Sequence, residues 1–498
     1  MNRVKKCIQI IKNALFVDDW KSMKKIVLML IGIYIVGLYP LFRANYYYID
    51  DLGRSVYGYR GWDDFGRWIS NGLSYILHAG APLTDISPLP QLFAVVLMSL
   101  AGAVLIYVFT KKENRGSIGF WQLLAVLPMG FNPYFMECFS YKYDAPYMAF
   151  SVLASVFPFL YIDKNNRIFL ITSFLGVMIM CCTYQAASGI YVLLAFYLLL
   201  YRWCVGENTK NVLRKFCISM EAFITSMLVY RLFLVKNIST YVSSEVGGGT
   251  ALFENIAKNV TTYLYLLRAD SVRLWQGLLL ALVMIYIINL LRTSSRKKIV
   301  TGLVALSIIA ITVPISYGAY LILSKPLFAP RGMYGVGFLV AVLAINAITL
   351  IDKNYGGKII CLAISWCLLT YSCTYGNALS QQKEYDLLRI GLVLQDLNRI
   401  PVNKDPHLLQ FSGSVGTAPV TKLAGKKYPV LARTVFTYMG QSDWVWHTHY
   451  IFNHVNLPNF KNIYPHELDF RKLNLKTITV TRYHTIKSDG KHVLVELR

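Results

Sequence analysis

Directly behind the first apolar run stands NYYYIDDLGRSVYGYRGWDDFGRWISNGL, residues 45–73, with four aspartates and three arginines. Adjacent carboxylates at a water boundary can take a proton from an attacking hydroxyl, and cations beside them can hold an anion as it leaves. Asp50 and Asp51 are candidates for the first task; Arg67, Lys142 and Arg331 are candidates for the second. If residues 50–60 are helical, Asp50 and Arg54 lie four apart and pair on one face, which leaves Asp51 aimed elsewhere and able to act as a base. The plainer reading makes Asp51 the N-cap of a short helix starting at Leu52. Asp63 and Asp64, followed by Gly66 and Arg67, repeat the acidic-then-basic order one segment later. The aromatics among them, Tyr46, Tyr47, Tyr48, Tyr57, Tyr59, Trp62, Phe65 and Trp68, suit a helix lying in the headgroup layer.

The elements that must position these groups are apolar. Of 498 residues, 55% are hydrophobic and 15% charged, and mean hydropathy is positive, so the fold class is an all-α polytopic membrane protein. Eleven segments have membrane-crossing length, near 26–43, 89–110, 117–132, 146–162, 168–183, 188–203, 217–235, 272–291, 299–322, 333–351 and 358–376. The first follows a basic stretch, residues 1–25, and carries no small-residue cleavage pattern, so it reads as a retained anchor. The net charge of +24 is spread through short clusters between apolar runs, which excludes nucleic acid as a partner and instead sets orientation. Lysines and arginines collect in alternate connections, around 111–115, 164–167, 202–215, 292–298 and 353–358. These define a cytoplasmic side, with a cytoplasmic N-terminus, and place the protein in the inner membrane with the bilayer as its first partner.

That assignment gathers the unusual polar residues on the opposite, external side. Asp50, Asp51, Arg54, Asp63, Asp64 and Arg67 lie in the loop 44–88, and Glu137, Lys142 and Asp144 in 133–145. Tyr184 and Gln185 of CCTYQAASG and Arg331 of SKPLFAPRG join them. Charges at the membrane boundary are costly to desolvate, so a set of them on one face implies a hydrated cavity; the bland alternative is pairing with each other and with headgroups. The transmembrane body is thus 26–376, with a third external loop at 236–271 where Gly247, Gly248 and Gly249 suggest a hinge. Past residue 376 the long apolar runs stop and short strand-like pieces appear, HLLQF and HVLVEL, so 377–498 reads as a small external α/β domain. From 381 to 498 it carries 16 Lys or Arg against 9 Asp or Glu, which favours an anionic neighbour.

The nine cysteines sit mostly in spans and show neither a disulfide framework nor metal-site spacing. His447, His449 and His454 fall close together in WVWHTHYIFNH, but no carboxylate or thiolate completes a set, so no metal is assigned.

The run DDLGRSVYGYRGWDDFGRW, with FNPYFMECFSYKYDAP and CCTYQAASGIYVLL downstream, resembles the bacterial type II glucosyltransferases, the serotype-converting O-antigen enzymes, from about residue 30 to at least 350. The resemblance implies a GT-C-like membrane enzyme that takes glucose from undecaprenyl phosphate glucose on the periplasmic face and adds it to lipid-linked O-antigen or a related glycan acceptor. It also implies an acidic catalytic residue in the first external loop, here Asp50 or Asp51. Either carboxylate would deprotonate the acceptor hydroxyl, which attacks and inverts the anomeric carbon, while the other holds Arg54 or orients the acceptor. Glu137 and Asp144 remain candidates for sugar binding or for the base, and one or two of the loop's aromatic rings could stack on the sugar. The expected donor is a polyprenyl phosphate sugar, whose lipid phosphate suits arginine's two-pronged bonding. No cofactor is called for, though a divalent ion is compatible, and a donor synthase and a flippase are expected companions. Two rivals stand beside this reading. A flippase or transporter would need ionisable residues at the bilayer midplane, and an O-antigen polymerase an arginine-rich external loop; 236–271 has only Arg268 and two lysines.

Overall fold

A computed structural model describes residues 20–235, 245–351, 354–438, 455, 457, 459–463 and 466–498. His447, His449 and His454 lie outside the described residues. Eight helices are long and apolar enough to cross a membrane: Ser22–Ala44, Leu89–Phe109, Asn166–Thr183, Gln185–Cys204, Thr209–Leu234, Arg273–Thr293, Lys298–Ile315 and Tyr355–Leu397. Three further apolar helices, Phe120–Phe131, Ala145–Tyr161 and Gly335–Thr349, are shorter. The eleven apolar segments of the sequence are all helical, and eight of these helices reach membrane-crossing length among the described residues. Proline accounts for part of the shortening. Pro128 and Pro133 each start a new short helix, because a ring in place of the N–H is tolerated only in a first turn. Within the expected loop 236–271, Thr250–Asp270 forms a helix of 21 residues, entered through Gly249 at φ +58°.

Connections between helices gather at two ends of the bundle. At one end Ser295 donates to the Cys204 carbonyl (2.8 Å) and Arg202 pairs with Asp163 (2.6 Å), joining three of the basic connections. At the other end the connections after residues 44, 131, 183 and 315 meet, and every candidate site residue sits there.

The Trp20–Ala44 helix packs along Tyr355–Leu397, and small residues let the two backbones touch. Ser372 donates to the Gly37 carbonyl (2.7 Å), and a Cβ on Gly376 would sit 2.5 Å from the Leu41 nitrogen. Tyr355–Leu397 has 43 residues, which at 1.5 Å per residue makes it about 65 Å long, twice a bilayer's apolar thickness of about 30 Å. It therefore runs past residue 377 as a rigid arm. A five-stranded sheet sits at its far end, in the order β2-β1-β5-β4-β3: β1 His407–Gly413, β2 Phe460–Asn462, β3 Lys476–Val480, β4 His484–Ser488 and β5 His492–Leu497. HLLQF and HVLVEL are the neighbouring parallel strands β1 and β5, with Leu409, Phe411, Val493 and Val495 buried. Arg389 of the arm ties the sheet down by donating to the carbonyls of Tyr483 (2.9 Å) and Arg498 (2.6 Å).

Two glycines of the long helix should respond oppositely. Gly376→Val has no room beside Pro40 and Leu41 and is expected to cost about 1–3 kcal/mol. Gly391 is exposed with open space around it, so Gly391→Ala should gain about 0.5–1 kcal/mol through helix propensity. Thermal midpoints of the detergent-solubilised protein check both.

Candidate functional site

The first connection folds into short pieces because its glycines turn it. Helix Asp50–Tyr57 ends at Gly58, left-handed at φ 62°, whose N–H caps the Arg54 carbonyl at 2.8 Å. A Cβ there would fall 2.5 Å from Pro82. A second left-handed glycine, Gly66 at φ +68°, closes the 3-10 turn Asp63–Phe65 and lies against the Tyr230 hydroxyl. These turns fold the loop back over the ends of the long helices.

Asp51 is fully buried. Its Oδ2 accepts the backbone N–H of Tyr48 (3.0 Å) and of Lys142 (2.8 Å), and its Oδ1 that of Tyr143 (3.4 Å). Burial pushes its pKa well above the carboxylate range, although the Lys142 amide acts in the opposite sense. This corrects the capping expectation: the helix starts at Asp50 with Ile49 at the N-cap position, and the Asp51 side chain instead clamps the 142–143 turn. The expected Asp50–Arg54 pair is replaced as well. Arg54 Nη1 meets Asp144 Oδ2 at 2.5 Å, with its guanidinium 4.2 Å from the Trp62 ring, and Trp62 Nε1 donates to the other Asp144 oxygen. A buried, fixed carboxylate 90 residues on offers Arg54 a better-desolvated partner than the neighbour one turn back, which stays half-exposed.

Each of the other candidates takes a distinct place. Lys142 Nζ pairs with Asp85 (2.8 Å) over the Tyr47 ring (3.7 Å). Burial pushes the Asp85 carboxyl up, yet its bonds from Lys142 and Ser87 outweigh this and hold it at about 2. Glu137 is buried, meets Arg331 Nη1 at 3.1 Å, accepts the Arg331 backbone N–H, and lies 3.1 Å from the Tyr48 hydroxyl. Its pKa is raised by burial against the pull of Arg331. Asp63 and Asp64 do not pair with Arg67, so the repeated acidic-then-basic unit does not form. Arg67 lies instead over Tyr184, 4.5 Å from the ring centroid, and its Nε donates to Gln185 Oε1 (3.3 Å). Gln185 is fixed in turn by donating to the Phe65 carbonyl (3.1 Å), and Tyr184 by donating to the Arg331 carbonyl (3.3 Å). Two groups are left open. Among the described residues the Asp50 carboxylate accepts no hydrogen bond, and the two terminal nitrogens of Arg67 donate to no protein acceptor.

Sequence reasoning missed the wall facing these groups. The Tyr46 hydroxyl donates to the Phe436 carbonyl (2.6 Å), the Tyr47 N–H to the Tyr438 hydroxyl (3.0 Å) and the Tyr48 hydroxyl to the Thr434 carbonyl (2.8 Å). The Tyr46 and Tyr438 rings stack at 4.7 Å. Arg433 pairs with Asp270, which also accepts from the Tyr134 hydroxyl (3.2 Å). Tyr46, Tyr48 and Trp62 are thus buried and bonded to protein, while Tyr57 and Phe65 remain exposed. Asp85, Asp270 and Arg433 gave no signal in sequence because each stands alone among ordinary neighbours. Among the described residues no group of three or more His, Cys, Asp or Glu could hold a metal ion.

The sequence matches the family described as Glucosyl transferase GtrII over residues 39–342, more than half of the chain. The chain belongs to that family. It is also 26% identical over 434 residues to a Salmonella phage P22 protein described as "Uncharacterized 55.3 kDa protein in gtrB 5'region", covering 84% of this chain and 87% of that protein. No solved structure matches.

The buried Arg54–Asp144 pair, both side chains 6% exposed, gives a direct test of what holds the site. Asp144→Asn leaves an uncompensated guanidinium and is expected to cost about 3–5 kcal/mol, whereas Arg54→Met combined with Asp144→Leu should recover most of that loss. The measurement is the thermal midpoint of the solubilised single and double variants.

Proposed function

We propose that this glucosyl transferase moves a glucosyl unit from a polyprenyl phosphate sugar onto lipid-linked O-antigen or a related surface glycan, at the external face of the inner membrane. Family membership supports the glucosyl transfer, and the basic connections at the opposite end of the bundle support the orientation.

The observation that carries the mechanism is the division of labour among the carboxylates. Asp51, Glu137 and Asp144 are committed to protein partners. Asp50 is half-exposed and uncommitted, so the choice left open between the adjacent pair falls on Asp50 as the base and on Asp51 as the clamp. Asp50 takes the proton of the acceptor hydroxyl; the oxygen forms its bond to the anomeric carbon as the carbon–oxygen bond to the phosphate breaks, and the configuration inverts. The departing lipid phosphate carries the negative charge. Arg67 receives it through its two free terminal nitrogens, pre-positioned by the Tyr184 ring and by Gln185. Glu137 holds Arg331 beside the same tyrosine, so a second cation stands nearby without competing for the acceptor. In this scheme Arg67 supplies the charge stabilisation, and the lipid-linked donor needs no cofactor beside it.

Asp50→Asn is expected to reduce transfer by about 10²- to 10⁴-fold with protein level unchanged, the range for loss of a general base. Radiolabelled glucose transfer in membranes, together with NMR of the surface polysaccharide, reads the loss of one side-branch sugar. An Asp50→Asn strain with the wild-type side branch would refute the assignment. Arg67→Lys keeps the charge and loses the fork, so it should lower kcat at least tenfold while the unfolding free energy stays within about 0.5 kcal/mol of wild type.

A further inference from the structure

We infer that the end of the bundle opposite Asp50 holds a second binding site, one for a phosphate-bearing anion. A cavity of about 460 Å³ opens there, where the helices Leu89–Phe109, Ala145–Tyr161 and Ser188–Cys204 end. That volume accommodates a phospholipid headgroup.

Its lining is cationic on balance: Lys111, Arg115, Lys164 and Arg202 face Asp163 and Glu207. Both acids are taken by one partner, because Arg202 meets Asp163 at 2.6 Å and Glu207 at 3.5 Å. Lys111 and Arg115 are left with no carboxylate among the described residues. Arg115 is also held in place. Its guanidinium lies over the Tyr107 ring, 3.5 Å from the centroid, with Nη1 donating to the Tyr107 hydroxyl at 2.6 Å. Its Nε is buried with no acceptor among the described residues. The guanidinium lines the cavity, so a phosphate oxygen entering it meets a cation whose position is already set and forms a charge-assisted bond without first having to order that side chain. Positive residues that only set orientation need neither a cavity nor a fixed side chain; here both are present. The cations come from separate connections, around 111–115 and 164, so the site forms only in the folded bundle.

Two sources can present this chemistry, the headgroup of an anionic phospholipid and free phosphate, and the test separates them. Full-length protein in detergent is titrated with phosphatidylglycerol, phosphatidylcholine or inorganic phosphate, and bound ligand is read by native mass spectrometry alongside the thermal midpoint. Phosphatidylglycerol should bind at least tenfold more tightly than phosphatidylcholine, and Lys111→Ala with Arg115→Ala should weaken it by tenfold to a hundredfold. Equal tightening by inorganic phosphate, with the same sensitivity to the double variant, assigns the site to the free anion. Equal binding of the two lipids, or a double variant that binds both anions as wild type does, overturns the inference. A midpoint without ligand that matches wild type shows that the variant is folded. Loss of anion binding with side-branch glucosylation intact would support this site by itself, since the two ends are tested by different readouts.

Discussion

Charge that is taken out of water must be paired, and that requirement organises the whole site end of this molecule. Four ion pairs, Arg54–Asp144, Lys142–Asp85, Arg331–Glu137 and Arg433–Asp270, join segments that are far apart in the chain. Every one has a side chain at most 6% exposed on at least one partner. A buried pair of this kind is weak evidence for net stability, because desolvation offsets most of the attraction. What it does enforce is geometry. Once an acid is desolvated, its cation cannot leave without a penalty of several kcal/mol, so the loops carrying the pairs hold their positions. Asp50 and Arg67 stay available because the other charges around them are already neutralised.

The gathering of the candidate residues at one end of the bundle was legible in the sequence, and their wiring was not. Alternating basic connections sort the polar residues onto one side by a rule that needs only order along the chain, and all twelve candidate residues do sit at one end of the bundle. Helix periodicity then suggested Asp50 with Arg54, and failed, because a local i,i+4 contact is worth a few tenths of a kcal/mol and yields to a buried carboxylate supplied by Asp144. The N-cap reading of Asp51 failed for a related reason. Its oxygens found amides of the 142–143 turn, about ninety residues on. Among the described residues the helices of membrane length are fewer than the apolar runs where proline divides a run into short helices, since hydropathy counts apolar residues without asking whether the backbone continues. β1 and β5 were readable because each is a short apolar run bounded by turns.

The aromatic run Tyr46–Tyr48 shows how far a local reading can drift. In isolation three tyrosines after a membrane helix look like an interfacial belt. In the fold they form one side of a seam whose other side is Thr434, Phe436 and Tyr438. Nothing within the first loop announces a partner nearly four hundred residues away.

That seam gives the C-terminal part of the chain a place in the site although the family match ends at residue 342. The helix Tyr355–Leu397 packs along the first helix, leaves the bundle, and returns the chain through β1 to residues 433–438. Asp386 on that arm accepts the Tyr438 N–H (2.8 Å), and Gln382 beside it donates to the same carboxylate (3.0 Å), so the returning segment is fixed to the arm as well as to the first loop. The backbone just before Asp50 is therefore held from both sides, by Asp51 reaching Lys142 and by Tyr46–Tyr48 reaching 434–438. The base role proposed for Asp50 requires its oxygen to stay within hydrogen-bond reach of the acceptor hydroxyl, a tolerance of a few tenths of an ångström. Holding a flexible post-helix loop to that tolerance takes fixed points on each side, and here one is supplied from within the matched family region and the other from beyond it.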